Sequence, residues 1–366
     1  MTMLVASSVI ITRRSGPRDF HPSHTMNPDA CVSAIIPARN EERTIAQAVR
    51  SVAEQPEVRE IVVIDDQSTD CTGAILRRLA AEQPKLRAFE AGALPAGWVG
   101  KNHAAWLGAE KAGCDWLLFT DADAVHLPGS TALALAEAES FGADLVSYSP
   151  GQEMHTWWEQ ALIPFVFCRL SQLYSYTTIN DPKSPAAAAN GQYLLIRRNV
   201  YEKIGGHAAV REEVLEDVAL ARLAKSAGFR LHFGPGDAIC RVRMYSSFKA
   251  MWEGWSKNLL PLVTWSGQRV TRELFSVMPW IPLLCLLLTP FHLVFGALGI
   301  FLLAGRHASY AALLRKNRFP LSSVLYYLIG VVLYCAALLA SDWGYARGKI
   351  AWKGREYPVV TPARRS

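Results

Sequence analysis

Charged residues are scarce in this 366-residue chain, and its cysteines form no recognisable motif. Asp, Glu, Lys and Arg together make up 19% of the residues, whereas hydrophobic residues make up 51%. This composition excludes a disordered chain. No Cys-x-x-Cys pair occurs among the seven cysteines, so neither a zinc cluster nor a disulfide framework is indicated. The sequence predicts a folded protein from a reducing compartment whose cysteines act as small hydrophobic side chains.

The N-terminal residues 1–30 lack the order of a signal peptide. Their short apolar run, Leu4 to Thr12, is followed by two arginines and not preceded by them, and it is too short to cross a membrane. A strand pattern begins only at Val32. We therefore expect a disordered leader over residues 1–30, with Met26 as an alternative start to Met1.

Two stretches, residues 274–305 and 319–341, contain no Asp, Glu, Lys or Arg at all. As a straight helix the first would be about 48 Å long, against a hydrocarbon core of about 30 Å. Its three prolines would kink such a helix, so it is either one long tilted span or a tight hairpin. The second has the length of a single span. We predict a transmembrane region over residues 274–341 with two or three passes, after an interfacial amphipathic region over 246–273.

A nucleic-acid partner is not needed to explain the formal net charge of +6, because much of the basic excess lies beside the apolar stretches. Basic residues follow both stretches, and 342–366 forms a basic tail. The positive-inside rule cannot place both basic groups in the cytoplasm if each stretch crosses once. The expectation is a multi-pass protein of the cell membrane with a cytoplasmic catalytic domain, and the number of crossings stays open.

Residues 31–245 alternate between strand and helix patterns, which predicts one α/β domain with a mostly parallel sheet and helices on both faces. In such sheets ligands bind at the carboxyl ends of the strands. Two predicted strands end in acidic residues, at Asp65-Asp66 and at Asp121-Ala-Asp123. Two carboxylates separated by one residue can hold a hard divalent cation, to which a diphosphate supplies further oxygen ligands. Asp66 is placed to meet a ligand, whereas Asp70 is interpreted as a helix cap.

A third acidic cluster, Glu212 to Asp217, opens a predicted helix. The helix dipole accounts for Glu212 and Glu213 without any chemistry. Asp217 is different, because glycine-marked turns at Asn190-Gly191-Gln192 and at Gly205-Gly206 would shape a pocket wall beside it.

In order and spacing these motifs resemble those of the family 2 inverting glycosyltransferases, which have the A-type nucleotide-sugar fold. The resemblance covers residues 32 to about 260. The motifs that carry it are VSAIIPARNEE (32–42), IDDQSTD (64–70), TDAD (120–123) and LED (215–217). The apolar region that follows is similar to that of the membrane branch, which includes ceramide glucosyltransferase-like, hopanoid-associated and carotenoid glycosyltransferases.

The resemblance implies a role for each matching residue. Pro37, Ala38, Arg39 and Glu41 would line the nucleotide pocket, and Asp66 would accept a hydrogen bond from the uracil ring of a UDP-sugar. Asp121 would face the ribose and the donor sugar, Asp123 would bind Mn²⁺ or Mg²⁺, Lys101 would offset phosphate charge, and Asp217 would be the general base. Weaker candidates for acceptor contacts are Glu216, Gln192, Trp255 and Lys257.

One departure limits the reaction. Processive and ceramide-type relatives carry a Gln/Arg-x-x-Arg-Trp motif before the anchor, and here the region reads WEGWSKN (252–258). We therefore predict a membrane-anchored enzyme that transfers a single sugar from a nucleotide-sugar to a lipid, in glycolipid biosynthesis. The alternatives are a nucleotidyltransferase on a related fold and a non-catalytic membrane scaffold.

Overall fold

The computed structural model describes residues 30–265, 269–352 and 355–358. The predicted leader, apart from Ala30, and the end of the basic tail lie outside these residues. The ten strands are β1 Val32–Ala38, β2 Val58–Asp65, β3 Leu86–Glu90, β4 Trp116–Phe119, β5 Ala124–His126, β6 Leu145–Gln152, β7 Leu194–Arg197, β8 Leu231–Val242, β9 Lys349–Trp352 and β10 Arg355–Pro358.

Fourteen α-helices are described, with a 3₁₀ helix at Leu321–Tyr326 before the last of them. They are α1 Ile45–Ala53, α2 Thr72–Glu82, α3 Gly100–Lys111, α4 Ser130–Phe141, α5 Trp157–Leu173, α6 Tyr176–Asn180, α7 Arg198–Lys203, α8 Gly206–Ala209, α9 Glu216–Ser226, α10 Phe248–Trp265, α11 Val270–Val277, α12 Trp280–Leu287, α13 Leu293–Lys316 and α14 Tyr327–Ala346.

The first eight strands form one sheet in the order β3-β2-β1-β4-β7-β6-β8-β5. Four neighbouring pairs are parallel, namely β1 with β2 and with β4, β2 with β3, and β6 with β8. The other three pairs, all involving β5 or β7, are antiparallel. The predicted α/β class is confirmed, and the sheet is mixed.

The side-chain alternation of β1 explains why helices cover both faces of the sheet. Val32, Ala34 and Ile36 point into a core with α1, α2 and α4, whereas Ile35 points into a second core on the other face. All four side chains are fully buried. Strands buried on both faces read as continuous apolar runs, which is the pattern of this segment.

Cys31 and Cys114 form a disulfide, so the expectation that no cysteine is paired is wrong for these two. Cys31 immediately precedes β1, and Cys114 lies two residues before β4. The parallel register of these strands places Val32 opposite Trp116. The Cα atoms of the two cysteines are therefore 5.1 Å apart. The other five cysteines are free.

A separate helical layer lies beside the sheet and has its own apolar core, formed by α5, α10, α11, α14 and the C-terminal half of α13. A buried ion pair joins two of these helices: Arg169 of α5 donates from Nε and Nη2 to Glu273 of α11 at 2.7 Å. The hydroxyl of Tyr334 in α14 donates to the same carboxylate at 2.7 Å. A buried carboxylate needs such partners, so these contacts fix the three helices relative to one another.

Two described helices are long and apolar enough to cross a membrane, Leu293–Lys316 and the helix running from Leu321 to Ala346. A third candidate is the pair α11 and α12, which is bent by 54°. These helices are candidate spans by length and composition, so the number of passes stays a prediction.

Candidate active site

A cleft opens at the carboxyl ends of β1, β2 and β4, where the sequence predicted the site. It brings together eleven of the predicted site residues. They are Pro37, Ala38, Arg39, Glu41, Asp66, Lys101, Asp121, Asp123, Gln192, Glu216 and Lys257.

One end of the cleft is formed by the residues that follow β1 and β2. Nη1 of Arg39 donates to the backbone carbonyl of Asp66 at 2.6 Å, and the N–H of Asp66 donates to the carbonyl of Ala38 at 2.7 Å. These bonds lock the two strand ends together. Asp66 is only 4% exposed, yet it borders the cleft. A ligand in the cleft therefore meets a carboxylate on a rigid support.

Asp70 has the structural role that the sequence suggested. Its Oδ1 accepts from the N–H of Thr72 at 3.0 Å, at the start of α2, and its Oδ2 accepts from the N–H of Glu42 at 3.1 Å. Burial raises the pKa of Asp70, but these hydrogen bonds outweigh it and leave the pKa below its usual value. Asp70 does not line the cleft.

Lys101 connects the two acidic clusters at the centre of the cleft. Its Nζ lies 2.7 Å from Oδ1 of Asp121 and 2.8 Å from Oε1 of Glu216. Burial alone would lower the pKa of Lys101, but the carboxylates of Asp121, Glu216 and Asp217 together raise it well above its usual value. Lys101 is therefore a permanent cation between the ends of β4 and α9.

Asp217 lies behind this cation, in a small cavity that shares Lys101, Asp121 and Glu216 with the main cleft. Its Oδ2 accepts from the N–H of Gly191 and its Oδ1 from the N–H of Val218, both at 2.7 Å. Burial and the charge of Glu216 raise the pKa of Asp217 to about 7, although Lys101 and the two hydrogen bonds act in the opposite direction. A carboxylate with a pKa near neutrality is suited to accept and release a proton.

Hydrogen bonds of the residues near Lys101 hold it beside α9. Nδ2 of the fully buried Asn102 donates to the carbonyls of Val210 and Glu213, each at 2.9 Å. The N–H of Val99 donates to the carbonyl of Arg211 at 2.8 Å. The start of α3 is thereby fixed to the segment that leads into α9, which explains how residues more than a hundred positions apart meet in one site.

A buried network supports the turn at Asp121-Ala-Asp123. Thr120 donates from Oγ1 to the carbonyl of Gln192 at 2.9 Å, and the same oxygen lies 2.9 Å from Nε2 of His126. Burial lowers the pKa of His126 to about 4, so its ring is neutral at physiological pH. Gln192 itself is 5% exposed, borders the cleft and has an Oε1 without a hydrogen-bond partner among the described residues.

Helix α10 closes the cleft on the side opposite the strand ends. Lys257 and Asn258 border it, and so do Met244 and Tyr245 from the preceding segment. Burial and Lys101 lower the pKa of Lys257 to about 8, although Glu216 counteracts them. Sequence analysis missed Met244, Tyr245 and Asn258, because only the tertiary packing of α10 and the segment before it shows which of their residues face the cleft.

Trp255 does not border the cleft, unlike its neighbour Lys257. It is 3% exposed, and its ring packs against Phe167 and Tyr245 with centroids 6.2 Å apart in each case. Trp255 is thus a packing residue of the helical layer, and the structure does not support its proposed contact with the acceptor.

The acidic residues of the cleft fit a hard divalent cation. Glu41, Asp66, Asp121, Asp123 and Glu216 outnumber the basic residues Arg39, Lys101 and Lys257 in the lining. Such a cleft would repel a diphosphate unless positive charge were added. Asp121 is paired with Lys101. Asp123, the ligand expected from the sequence, also borders the cleft. Since no cluster of three His, Cys, Asp or Glu side chains suited to a metal occurs in the described residues, the remaining ligands would be oxygens of the substrate and water.

Gly191 provides a direct test of this geometry. A Cβ atom there would lie 3.0 Å from Nζ of Lys101 and 3.6 Å from Oδ2 of Asp217. We expect Gly191→Ala to displace the lysine and to lower kcat by on the order of tenfold or more, since small misplacements of catalytic groups are costly. The melting temperature should be nearly unchanged. Gly305→Ala is the matched control, because a Cβ at Gly305 meets nothing within 4 Å; equal kcat for both variants would contradict the assignment.

Several known proteins are similar to this chain in sequence. The family described as Glycosyl transferase family 2 matches residues 33–205. The 4,4'-diaponeurosporenoate glycosyltransferase of Staphylococcus haemolyticus is 29% identical over 233 residues, which cover 62% of this chain and 60% of that protein. The enzyme of the same name from Staphylococcus aureus strain MRSA252 is 24% identical over 380 residues, with 98% of this chain and 96% of the relative covered.

A solved structure shares the fold. The mannosyltransferase of Pyrobaculum calidifontis, in complex with GDP-Man and Mn²⁺, superposes with a TM-score of 0.54 at 20% sequence identity, and the match covers 91% of each chain. This supports the A-type fold predicted from the motifs. The family model identifies a Glycosyl transferase family 2 domain over residues 33–205, and together with the relatives that align over nearly the whole chain it supports a family 2 glycosyltransferase.

Proposed function

We propose that this glycosyltransferase transfers one sugar from a nucleoside diphosphate sugar to a lipid at the membrane, by direct displacement with inversion. The observation that carries the proposal is the position of Lys101, which contacts Asp121 at the end of β4 and Glu216 at the start of α9. Lys101 thus joins the residues proposed for the donor, which line the main cleft, to the small adjoining cavity that contains Asp217.

The donor would bind along the strand ends. Asp66 and Arg39 would contact the nucleoside, with a UDP-sugar as the proposed donor, and Asp121 would face the ribose and the sugar. Asp123 would hold Mn²⁺ or Mg²⁺, which, when bound, would stabilise the charge that develops on the leaving diphosphate. Lys101 and Lys257, which also border the cleft, add positive charge there.

The acceptor side consists of Asp217 and its neighbours. An acceptor hydroxyl must lose its proton as it attacks the anomeric carbon, and one carboxylate is enough to take it. The raised pKa of Asp217, about 7, suits that step. Glu216 and Gln192 border the cleft beside it and are proposed to orient the acceptor.

The proposed acceptor is an apolar lipid with a hydroxyl group. The apolar helices α12 to α14 would keep the enzyme where such a lipid is dissolved, and the relatives are named for 4,4'-diaponeurosporenoate. That name also favours a second candidate, a lipid carboxylate. A carboxylate is already ionised at neutral pH and would need no general base, so its transfer should survive the loss of Asp217.

The test is release of nucleoside diphosphate by the purified protein in detergent. We expect release with Mn²⁺, one sugar nucleotide from a panel of UDP-sugars and GDP-sugars, and a lipid extract, and little release when lipid or Mn²⁺ is omitted. Pyrophosphate in place of the diphosphate would indicate a nucleotidyltransferase. No release with any donor and lipid would contradict the proposal.

A further inference from the structure

The sequence left open how the apolar helices are arranged relative to the membrane. Each helix that is long enough to span a membrane can be traced by its contacts at both ends. These contacts show which side of a bilayer each end can reach, provided that the cleft-bearing domain stays in water.

Helices α12 and α13 form an antiparallel hairpin. The Cα atom of Gly299 packs against Leu286, and that of Gly296 packs against Thr289, where a Cβ would come within 2.8 Å of a side-chain atom in each case. Close packing through glycine is typical of helix pairs in membranes. The tip is strongly exposed, with Phe291 at 80% and Leu293 at 81%.

Both legs of the hairpin start from the helical layer. On the outgoing side, α11 is held to α5 by the Glu273–Arg169 pair. On the returning side, Nη2 of Arg306 donates to the carbonyl of Val277 at 2.8 Å, and Arg318, just beyond α13, lies 3.0 Å from Asp237 of β8. The chain therefore leaves the domain near Val277 and returns to it near Arg306.

The hairpin is too short to cross a bilayer. Its outgoing leg, from Val277 to the tip near Pro290, would be about 20 Å long even if it were fully helical, against about 30 Å for the hydrocarbon core. Its depth corresponds to little more than one leaflet.

Helix α14 has the length of a span, but both of its ends are attached to the cleft-bearing domain. Near its start, Gly330 packs on the carbonyl of Ala161 in α5, a helix tied to the strand region by Glu159 and Arg243 at 3.0 Å. Near its end, the hydroxyl of Tyr345 donates to the carbonyl of Lys257 at 3.1 Å. Lys257 borders the cleft, so α14 lies along the domain and does not point away from it.

The outer face of α14 is an apolar stripe. Its inner face is buried along the whole helix at Tyr327, Gly330, Val331, Tyr334, Ala337, Leu338, Ser341 and Tyr345. The outer stripe is exposed at Leu325, just before the helix, and at Ile329, Val332, Leu339 and Trp343. Because both ends of α14 are attached to the domain that lies in water, we expect this apolar face to contact lipid along the plane of the membrane interface. Tyr327, at its start, accepts a hydrogen bond from Arg306, so the start of α14 lies against the base of the hairpin.

We infer that the chain enters the bilayer from one side only, with α12 and α13 as a re-entrant hairpin in one leaflet and α14 lying in the interface. The partner of this surface is a lipid leaflet. The inference also places both basic groups, after residue 305 and after residue 346, on the side of the catalytic domain, which satisfies the positive-inside rule that two separate crossings would break. It deepens the membrane association that is part of the proposed function.

The experiment labels single introduced cysteines with a membrane-impermeant maleimide. Lys316→Cys and Arg347→Cys alter exposed residues at the end of α13 and just beyond α14, and Phe291→Cys lies at the hairpin tip. The exposed native Cys71 marks the side of the catalytic domain. Right-side-out and inside-out membrane vesicles of a bacterial expression host are labelled, and each site is quantified by peptide mass spectrometry.

We expect the thiols introduced by Lys316→Cys and Arg347→Cys to react in the same vesicle orientation as Cys71, and the thiol at the hairpin tip to react only after detergent is added. Reaction of Lys316→Cys in the opposite orientation would show that residues 274–305 cross the bilayer once, and reaction of Phe291→Cys in that orientation without detergent would show that the hairpin crosses it. If Lys316→Cys reacts in the same orientation as Cys71 and Arg347→Cys reacts in the opposite orientation, α14 crosses. Any of these results overturns the inference but leaves the proposed function intact. If the protein fails to float with the vesicles, both the topology and the membrane part of the proposed function are wrong.

Discussion

Replacing Asp217 with asparagine is expected to lower kcat for transfer to a hydroxyl-bearing lipid by about 10²- to 10⁴-fold, the usual contribution of a general base. Asparagine keeps the shape of the side chain and one acceptor oxygen for the N–H of Gly191 or Val218, but it cannot take a proton. Nucleotide binding should be nearly unchanged, because Asp217 does not border the main cleft. The measurement is nucleoside diphosphate release under saturating donor, with nucleotide affinity determined by calorimetry.

The control for this variant is Glu212→Gln, which removes an exposed carboxylate from the same acidic cluster. In the described residues the only ion pair of Glu212 is with the exposed Arg211. Its turnover should match the wild type. Equal turnover of Asp217→Asn and Glu212→Gln with a hydroxyl acceptor would rule out Asp217 as the base.

The pH profile provides an independent check of the same residue. A base acts only in its ionised form, and the pKa of Asp217 is raised to about 7. We therefore expect kcat to fall tenfold for each pH unit below about 7 and to level off above it. A carboxylate with an ordinary pKa near 4 would give a flat profile across this range, and so would a lipid carboxylate as acceptor.

Replacing Asp123 with asparagine is expected to weaken Mn²⁺-dependent nucleotide binding by at least about 100-fold. Loss of a residue that only hydrogen-bonds to a metal-ligating side chain already lowers metal affinity by about 10- to 100-fold. The cleft is rich in carboxylates, so without the cation its charge opposes a diphosphate. Titration calorimetry with UDP, in the presence of Mn²⁺ and then of EDTA, measures the effect.

The matched control is Asp144→Asn, at the opposite end of the sheet, where the carboxylate lies 3.7 Å from Arg197. It should bind UDP as the wild type does. If Asp123→Asn keeps an affinity that EDTA still abolishes, the cation is held by other residues. If EDTA has no effect on the wild type, nucleotide binding does not depend on a divalent cation.

The sequence predicted the part of the fold that local patterns determine. The apolar strands β1, β2 and β4 end directly before polar or acidic residues. The position of Asp66, Asp121 and Asp123 at the carboxyl ends of these strands therefore followed from the parallel arrangement alone. Helix α4 and the long strand β8 were missed. The run of small residues in α4 has almost no amphipathic pattern, and β8 contains Gly234, Pro235 and Gly236, which are unusual within a strand.

Long-range packing determined what the sequence could not show. Nothing in the local pattern pairs Cys31 with Cys114, whose strands are neighbours only in the folded sheet. The choice between a tilted span and a hairpin for residues 274–305 also depended on contacts, namely those of Gly296 and Gly299 with α12 and its end. For the same reason the sequence could not tell that Lys257 faces the cleft while Trp255, two residues earlier, faces the helical core.

The central claim is transfer of one sugar to a lipid with Asp217 as the base. The most direct test is mass spectrometry of the lipid recovered after incubation of detergent-purified protein with Mn²⁺, the donor that supports nucleotide release, and a hydroxyl-bearing carotenoid or related lipid. We predict a product heavier than the acceptor by a single sugar, formed by the wild type and Glu212→Gln but not by Asp217→Asn. A product of several sugars, or the same yield from Asp217→Asn, would contradict the account.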